Sequence, residues 1–422
     1  MENLQKKSES IIPVENRITD GLDYYKLTMS QFIYNKEPAA IGTFTFKNRG
    51  EQRLADYIDV NGLQAKLQEV KDQGFSQAEL NYIASLNTDN GQPLFSNEFI
   101  DFIAAIDLPE VDVVFDEESD DIAISTTGNW AAVTFWETIV MSEVNEMYFA
   151  NKLQANGIQL EDAYREGDLR LSEKITALQQ NPDIKIVEFG TRRRFSREWQ
   201  KHVISRLATE CPNNLVGTSN IAFAHEYGLK PIGTFAHELP MGYAGLADAR
   251  DDSLQASHGK MLDDWYSFYG DELAIALSDT FGSDFFFDDF TKERSTNYRA
   301  TRHDSGDPFV YADKTIEHYK NQEIDTSDKA ILFSDGLTID LVRRLHEYTK
   351  NRINDAYGIG TNLTNDLGQT ALNIVMKLTE IGDSAQCMVD TVKLSDDPGK
   401  HTGPEDKVMQ YQQSFQRTLC TT

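Results

Sequence analysis

IKIVEFGTRRRFSREW, Ile184 to Trp199, decides how the rest of the chain is read. It opens as a short apolar strand and turns, after Phe189, into a cationic segment with helical spacing. The same rhythm recurs in NLVG (214–217), PIGTF (231–235), LAIALS (273–278), NYRATR (297–302), KAILFS (329–334) and INDAYGIG (353–360). Strands alternating with helix-like stretches imply parallel βαβ units, and about seven of them suggest a barrel, complete or incomplete. The continuations of these strands are more telling: FGTRRRFSREW, GTSN, TFAHE, SDTFGSD, RHDSGDP, SDGLTID and GIGTNLT. Each chemically equipped segment falls at the carboxyl end of a strand, where barrel enzymes build one site from several βα loops.

Upstream of this repeat the pattern is mixed. A helix is expected over Tyr24 to Tyr34, capped by Thr19 or Asp20, then an alternating strand over Ile41 to Phe46. Amphipathic helices come next, between Leu54 and Leu86, with strands at Val111 to Phe115 and Ile122 to Ser125. Helical spacing returns across Trp130 to Leu153 and Leu171 to Leu178. After Asn373, IVMKLTEI and QCMVDTVKL read as two further strands that either finish the barrel or return to the first domain. The expected division is a mixed α+β N-terminal domain over 1–140, an irregular α/β barrel over 141–385, and a C-terminal strand and tail over 386–422.

The chain has 422 residues and a formal net charge of −28, enough apolar sequence for a large core, and an acidic balance that argues against polyanionic partners. Nucleic acids and anionic membranes both require clustered cations, so neither is an expected partner and small-molecule chemistry leads. Cys211, Cys387 and Cys420 match neither a zinc site nor a disulfide framework, and suit packing in a reducing cytoplasm. The opening MENLQKKSESIIPVENRITD has no apolar signal core, and no stretch approaches the ~18 apolar residues of a membrane span. A cytoplasmic location is expected.

Against that acidic background, residues 189 to 201 invert the sign, with Arg192, Arg193, Arg194, Arg197 and Lys201 against Glu198. At a strand-to-helix turn such a cluster suits phosphate, although Arg runs more often pair with surface carboxylates; position favours Arg192. In the turn Gly358 to Thr361, Gly358 and Gly360 let amides approach a phosphate and Thr361 adds a hydroxyl, or else the turn is only a turn. RHDSGDP places Arg302 and Asp304 where a ligand could use them, while Asp307 ahead of Pro308 reads as a helix cap. The Asp residues of that loop suit ribose hydroxyls or magnesium. His237 should sit at the barrel rim, with Glu238 and Asp279 as candidate orienting carboxylates, a competent nucleophile toward a phosphoryl group. His225, His258 and His318 read as surface or packing. Tyr25 is either core or an exposed aromatic that stacks on a flat ligand.

Taken together, DYYKLTM, FGTRRRFSREW, GTSN, GTFAHE, SDT, RHDSGDP, FSDGL, YGIGT and NIVMKL resemble the nicotinate phosphoribosyltransferase family, in the same order, across residues 20 to 400. The resemblance implies an α/β fold of the type II phosphoribosyltransferase kind, a mixed α+β N-terminal domain plus an irregular, incomplete (β/α) barrel. It implies that nicotinate and phosphoribosyl pyrophosphate give nicotinate mononucleotide and pyrophosphate, a salvage step of NAD biosynthesis, with ATP hydrolysis coupled to the step and ATP and Mg2+ as cofactors. His237 matches the histidine that ATP phosphorylates, supported by Asp279 at hydrogen-bonding range. Tyr25 looks like the aromatic covering the pyridine ring of a neighbouring subunit's site in a head-to-tail homodimer, and Phe189 like the ring beneath. Thr234 and Arg302 resemble the residues that hold nicotinate. Arg192 resembles a phosphate contact, Asp304 and Asp335 ribose or magnesium partners, and Gly358, Gly360 and Thr361 the cradle of the ribose 5-phosphate.

The implied chemistry is departure of pyrophosphate through an oxocarbenium-like transition state and attack by the pyridine nitrogen, catalysed by charge and position without a general base. Leu239 departs from the family pattern, which commonly has an aromatic there. Nicotinamide-using relatives carry an aspartate at the position of Ser219, so a neutral serine favours nicotinate. The alternatives are a nicotinamide or quinolinate phosphoribosyltransferase, and a catalytically silent metabolite-binding protein of the same fold.

Overall fold

In the computed structural model, residues 17–397 and 400–415 are described. Their strands are β1 (Ile41–Asn48), β2 (Val111–Asp116), β3 (Asp121–Asn129), β4 (Ile186–Glu188), β5 (Leu215–Thr218), β6 (Ile275–Leu277), β7 (Ala300–His303), β8 (Ala330–Phe333), β9 (Asn354–Ile359), β10 (Ile374–Gly382) and β11 (Val389–Asp390). They form two sheets. One is antiparallel in the order β11-β10-β1-β3-β2, and the other is six-stranded in the order β5-β4-β9-β8-β7-β6. Every pairing in the second sheet is parallel. Its strands are short and apolar because helices cover them, as parallel sheets require.

The α/β fold, with a mixed N-terminal domain and an irregular, incomplete barrel, is therefore as expected, but one strand is missing. PIGTF makes only a bridge between Thr218 and Pro231. Proline brings no amide to a ladder, and the Thr28 hydroxyl of the opening helix donates to the Thr234 carbonyl at 2.7 Å. The segment instead passes under that helix, where a Cβ on Gly233 would stand 3.0 Å from Tyr25. Its alternation is real, but only the Ile232 amide reaches the sheet, at the Thr218 carbonyl of β5, 2.9 Å, while the Thr234 carbonyl turns to the helix.

The strand IVMKLTEI returns to the first domain. β10 lies inside the span 141–385, yet it pairs antiparallel with β1, with Phe44 opposite Leu378 and Phe46 opposite Met376. All four side chains are buried. That match of apolar faces fixes both partner and register, since a slip of one residue would expose them. QCMVDTVKL contributes only the two residues of β11.

The opening helix, Tyr24–Lys36, is buried from Tyr24 through Ile33, so it works as a wedge between the domains and not as an amphipathic surface helix. Its N-cap is Asp23, without a side-chain capping bond. Thr19 and Asp20, expected as caps, lie in a preceding 3-10 turn where Thr19 donates to Glu79 and Asp20 pairs with Arg197. At the wedge's centre the fully buried Lys26 ammonium lies 2.5 Å from both Glu137 and Glu238. Glu238 also accepts from the Trp130 indole at 2.7 Å and the Thr134 hydroxyl at 2.9 Å. Burial opposes the charge on Lys26, but the two carboxylates outweigh it and hold its pKa above the ordinary value. Among the described residues no helix is long and apolar enough to cross a membrane.

Candidate active site

A cavity of about 630 Å³ lies where the carboxyl ends of the barrel strands face the N-terminal sheet. Tyr25, Phe189, Arg192, His237, Arg302, Asp304, Asp335, Gly358, Gly360 and Thr361 all line it. Residues far apart in the chain thus meet in one place. Thr234 and Asp279 are buried and stand behind the wall, Thr234 because its segment runs under the opening helix.

Tyr25 lines the cavity of its own chain, where β10 docks the N-terminal sheet onto the barrel; the neighbouring subunit's site expected for it lies outside a single chain. It is 4% exposed and packed under the Arg192 guanidinium, 5.9 Å from the ring centroid. The arginine run divides by geometry. Arg192 and Arg193 face the cavity, whereas Arg194 is buried against Glu146, Gln200 and the Asp20 carbonyl, and Lys201 pairs with Glu226. Arg192 is steadied by Glu137 at 3.1 Å, the same carboxylate that holds Lys26. Beneath the turn, buried Glu188 accepts from the Gly190 amide, Thr218 and Gln200; burial pushes its carboxyl up to about 7.

Gly358 and Gly360 are required by a close approach. A Cβ on Gly358 would meet the Phe189 ring at 3.2 Å, and one on Gly360 the Phe189 carbonyl at 2.9 Å. They let β9 and the turn after β4 touch, and both still line the cavity. Asp307 caps the helix Pro308–Asn321 through the Phe309 and Val310 amides, as read from the sequence.

His237 precedes the helix Glu238–Ala249, and its neighbour Glu238 turns the opposite way, to Lys26; Glu238 does not orient the imidazole. Nor is Asp279 at hydrogen-bonding range, since its Oδ1 lies 3.6 Å from Nε2 while its Oδ2 is taken by Ser305 and Lys393. The ring is held instead by Thr280 at Nδ1, 3.0 Å, and by Asp304 at Nε2, 2.9 Å, with the Lys393 ammonium 3.0 Å from Nε2. Burial, reinforced by Lys393 and opposed by Asp279 and Asp304, pushes the imidazole down to about 4. It is therefore neutral throughout the physiological range. Because the unfolded chain takes up this proton near 6.5 and the folded one only near 4, the contribution of neutral His237 to stability is complete above 6.5 and lost as pH falls through that window. Proton–nitrogen NMR should show the His237 ring unshifted from pH 8 to 5.5; a midpoint above ~6 for His237 would contradict the burial argument.

Arg302 donates from Nη1 to the Phe235 carbonyl at 2.9 Å. Its Nε is buried without a partner, and its Nη2 comes no nearer than 3.9 Å to Asp304. One edge of the guanidinium, the Nε and Nη2 side that grips carboxylates in a bidentate fork, is left open beside the cavity. Asp304 accepts from Ser334 at 2.7 Å. Burial pushes its carboxyl up, but the hydrogen bond to His237 and the Arg302 and Lys393 charges outweigh that and hold it well below the usual range. Asp335 pairs with Lys400 at 3.3 Å.

Four cations escaped the sequence reading. Arg49, Lys377, Lys393 and Lys400 line the cavity together with Arg192 and Arg193. A lysine midway along the apolar strand VMKL was the available signal, because alternation aims Lys377 away from the buried faces of Met376 and Leu378. Burial, with Lys393 and Arg49 acting in the same sense, pushes Lys377 down to about 7. Such a wall is raised in energy until an anion arrives. Metal fits less well. His237, Asp279 and Asp304 alone among the described residues bring three ligand atoms within 4.8 Å, but one is nitrogen and Lys393 already sits 3.0 Å from two of the three residues. Magnesium prefers oxygen ligands, and the set does not suit it as a resident ion.

Ser219, whose neutrality bears on the choice of ring, is fully buried and donates to Asp23 at 2.6 Å. The three histidines read as surface or packing are so: His225 stacks on Tyr82, His258 meets Asp289 and His318 meets Ser295.

Comparison with known proteins gives the family. Residues 184–419 match the model of the nicotinate phosphoribosyltransferase (NAPRTase) family, and residues 21–145 that of its N-terminal domain. The chain is 34% identical to a nicotinate phosphoribosyltransferase of Acinetobacter baumannii, over 96% of this chain and 98% of that one. It is 36% identical to one from Neisseria meningitidis serogroup B, over 90% and 91%. A crystal structure of nicotinate phosphoribosyltransferase from Porphyromonas gingivalis superposes with a TM-score of 0.84 at 29% identity, covering 94% of this chain and 99% of that one. Family models, relatives and fold agree, and the chain belongs to the nicotinate phosphoribosyltransferase family.

Proposed function

We propose that the protein transfers the phosphoribosyl group of phosphoribosyl pyrophosphate to the ring nitrogen of nicotinate, a salvage step toward NAD, and that ATP drives the step by phosphorylating His237. The observation that carries the substrate is the edge of Arg302, a partly buried guanidinium whose buried Nε has no partner of its own. A carboxylate satisfies it; a neutral amide does not replace the charge. Tyr25 and Phe189 flank the same cavity and suit the pyridine ring.

The remaining substrate is a string of phosphates, and the walls suit it. The turn Gly358, Gly360, Thr361 takes the 5-phosphate, Asp304 and Asp335 face the ribose, and the cavity's cations receive the diphosphate. Asp304, ionised at all working pH, stabilises positive charge developing at C1 as pyrophosphate leaves, while the lysines and arginines stabilise the leaving group. Magnesium enters on the oxygens of the diphosphate or of ATP and is in that sense part of the substrate.

Purified protein should form nicotinate mononucleotide from nicotinate and phosphoribosyl pyrophosphate, faster with ATP, and label from γ-labelled ATP in an acid-labile form that His237→Ala abolishes. Equal or better use of nicotinamide in the product assay would remove the substrate assignment, and label retained in His237→Ala would remove the histidine.

A further inference from the structure

The imidazole of His237 is contested. On its Nε2 side stand Asp304 at 2.9 Å, Asp279 at 3.6 Å and the Lys393 ammonium at 3.0 Å. On its Nδ1 side stands the Thr280 hydroxyl at 3.0 Å. Which nitrogen carries the proton of a neutral imidazole is set by what the other nitrogen meets. Asp304 can only accept, so it favours the proton on Nε2. Lys393 can only donate, so it favours a bare Nε2 and a proton on Nδ1, which the Thr280 oxygen must then receive.

A nitrogen nucleophile needs its lone pair, and Nε2 is the nitrogen beside the cavity cation Lys393. We propose that Thr280 is a positioning residue that keeps the proton of His237 on Nδ1, against the pull of Asp304, so that Nε2 is free to attack a phosphoryl group. This rests on the phosphohistidine reading given above. In the step it serves, the Nε2 lone pair forms the N–P bond to the γ-phosphorus, the bond from that phosphorus to the β,γ-bridging oxygen breaks, and ADP leaves with the electron pair. The proton stays on Nδ1, shared with Thr280, and the ring's positive charge faces Asp279 and Asp304.

Thr280 is built to hold still. It is 1% exposed, and its carbonyl accepts the Leu394 amide at 2.8 Å. The residue that fixes Nδ1 is thereby tied to the segment that carries Lys393, and the two groups favouring a bare Nε2 move together.

The test uses the full chain with Thr280→Val, which keeps the branched shape and removes the oxygen, and Thr280→Ser, which restores it. Long-range proton–nitrogen NMR, with the His237 ring assigned by its loss in His237→Gln, should show the proton on Nδ1 in the wild type and in Thr280→Ser, and on Nε2 in Thr280→Val. Labelling by γ-labelled ATP should slow about tenfold or more in Thr280→Val, because a wrong tautomer withholds the attacking lone pair, and recover in Thr280→Ser. An unchanged tautomer in Thr280→Val, or labelling at the wild-type rate, overturns the proposal. If the wild type takes no label, the phosphohistidine reading falls, and the tautomer measurement alone still decides the role of Thr280.

Discussion

Arg302→Ala should lower kcat/KM for nicotinate by about 30- to 1000-fold, the ~2–4 kcal/mol that a charge-assisted, partly buried carboxylate contact is worth. The loss should be specific. Nicotinamide turnover, whatever its starting value, should fall far less, so that the ratio of the two substrates shrinks toward unity. Arg302→Lys should not rescue, because a lysine offers a point charge where the cavity presents the flat Nε and Nη2 edge. The guanidinium is anchored by the Phe235 carbonyl at 2.9 Å, so alanine also leaves that oxygen unpaired. Circular dichroism and a thermal melt separate that structural share from the substrate effect. A loss below about tenfold, or equal losses for both rings, would mean that the carboxylate is held elsewhere.

Lys26→Met should be the most damaging single change to the fold, costing about 3–5 kcal/mol in a denaturant titration. The ammonium is fully buried with Glu137 and Glu238 each 2.5 Å away. Methionine fills much of the same space, but it strands two carboxylates beside each other in a protein interior, and one of them must then take up a proton or open a path to water. The sign of the pH dependence is set by this protonation: the variant should recover on acidification, as Glu238, already raised by burial, protonates first. Adding Glu238→Gln to Lys26→Met should restore part of the loss, since it removes one stranded charge. If the single variant unfolds at the wild-type midpoint, the ion cluster contributes nothing net and the wedge is held by its apolar contacts alone.

Much of this site was legible in sequence because its loops share a position in a repeating pattern. RHDSGDP, YGIGT and the turn after IKIVEF could be placed at one barrel mouth without knowing any distance. What was not legible depended on rotation or on contacts distant in the chain. Glu238 is adjacent to His237, but on a helix successive residues diverge by ~100°, so adjacency in sequence sent it to Lys26 and away from the ring. Asp279 was read as the support of His237, but it is the next residue, Thr280, whose side chain reaches Nδ1. PIGTF alternates like a strand, and only the Thr28 hydroxyl across 206 positions shows where its carbonyl goes. Lys393 reaches His237 across 156 residues, a pairing that no local pattern encodes.

The pairing of β10 with β1 also sets an order of events during synthesis. β1 has its β3 partner within the first third of the chain, but its other edge is completed only by residues 374–382. While the chain is being made, that edge stays open, an unpaired row of amides and carbonyls on an otherwise folded sheet. The same late stretch carries Lys377, and Lys393 comes shortly after. A chain interrupted before them would lack both the closing strand and two of the cations that line the cavity. The newborn protein thus completes its cavity only once almost all of the chain has been made, and a truncated copy is left with an open sheet edge.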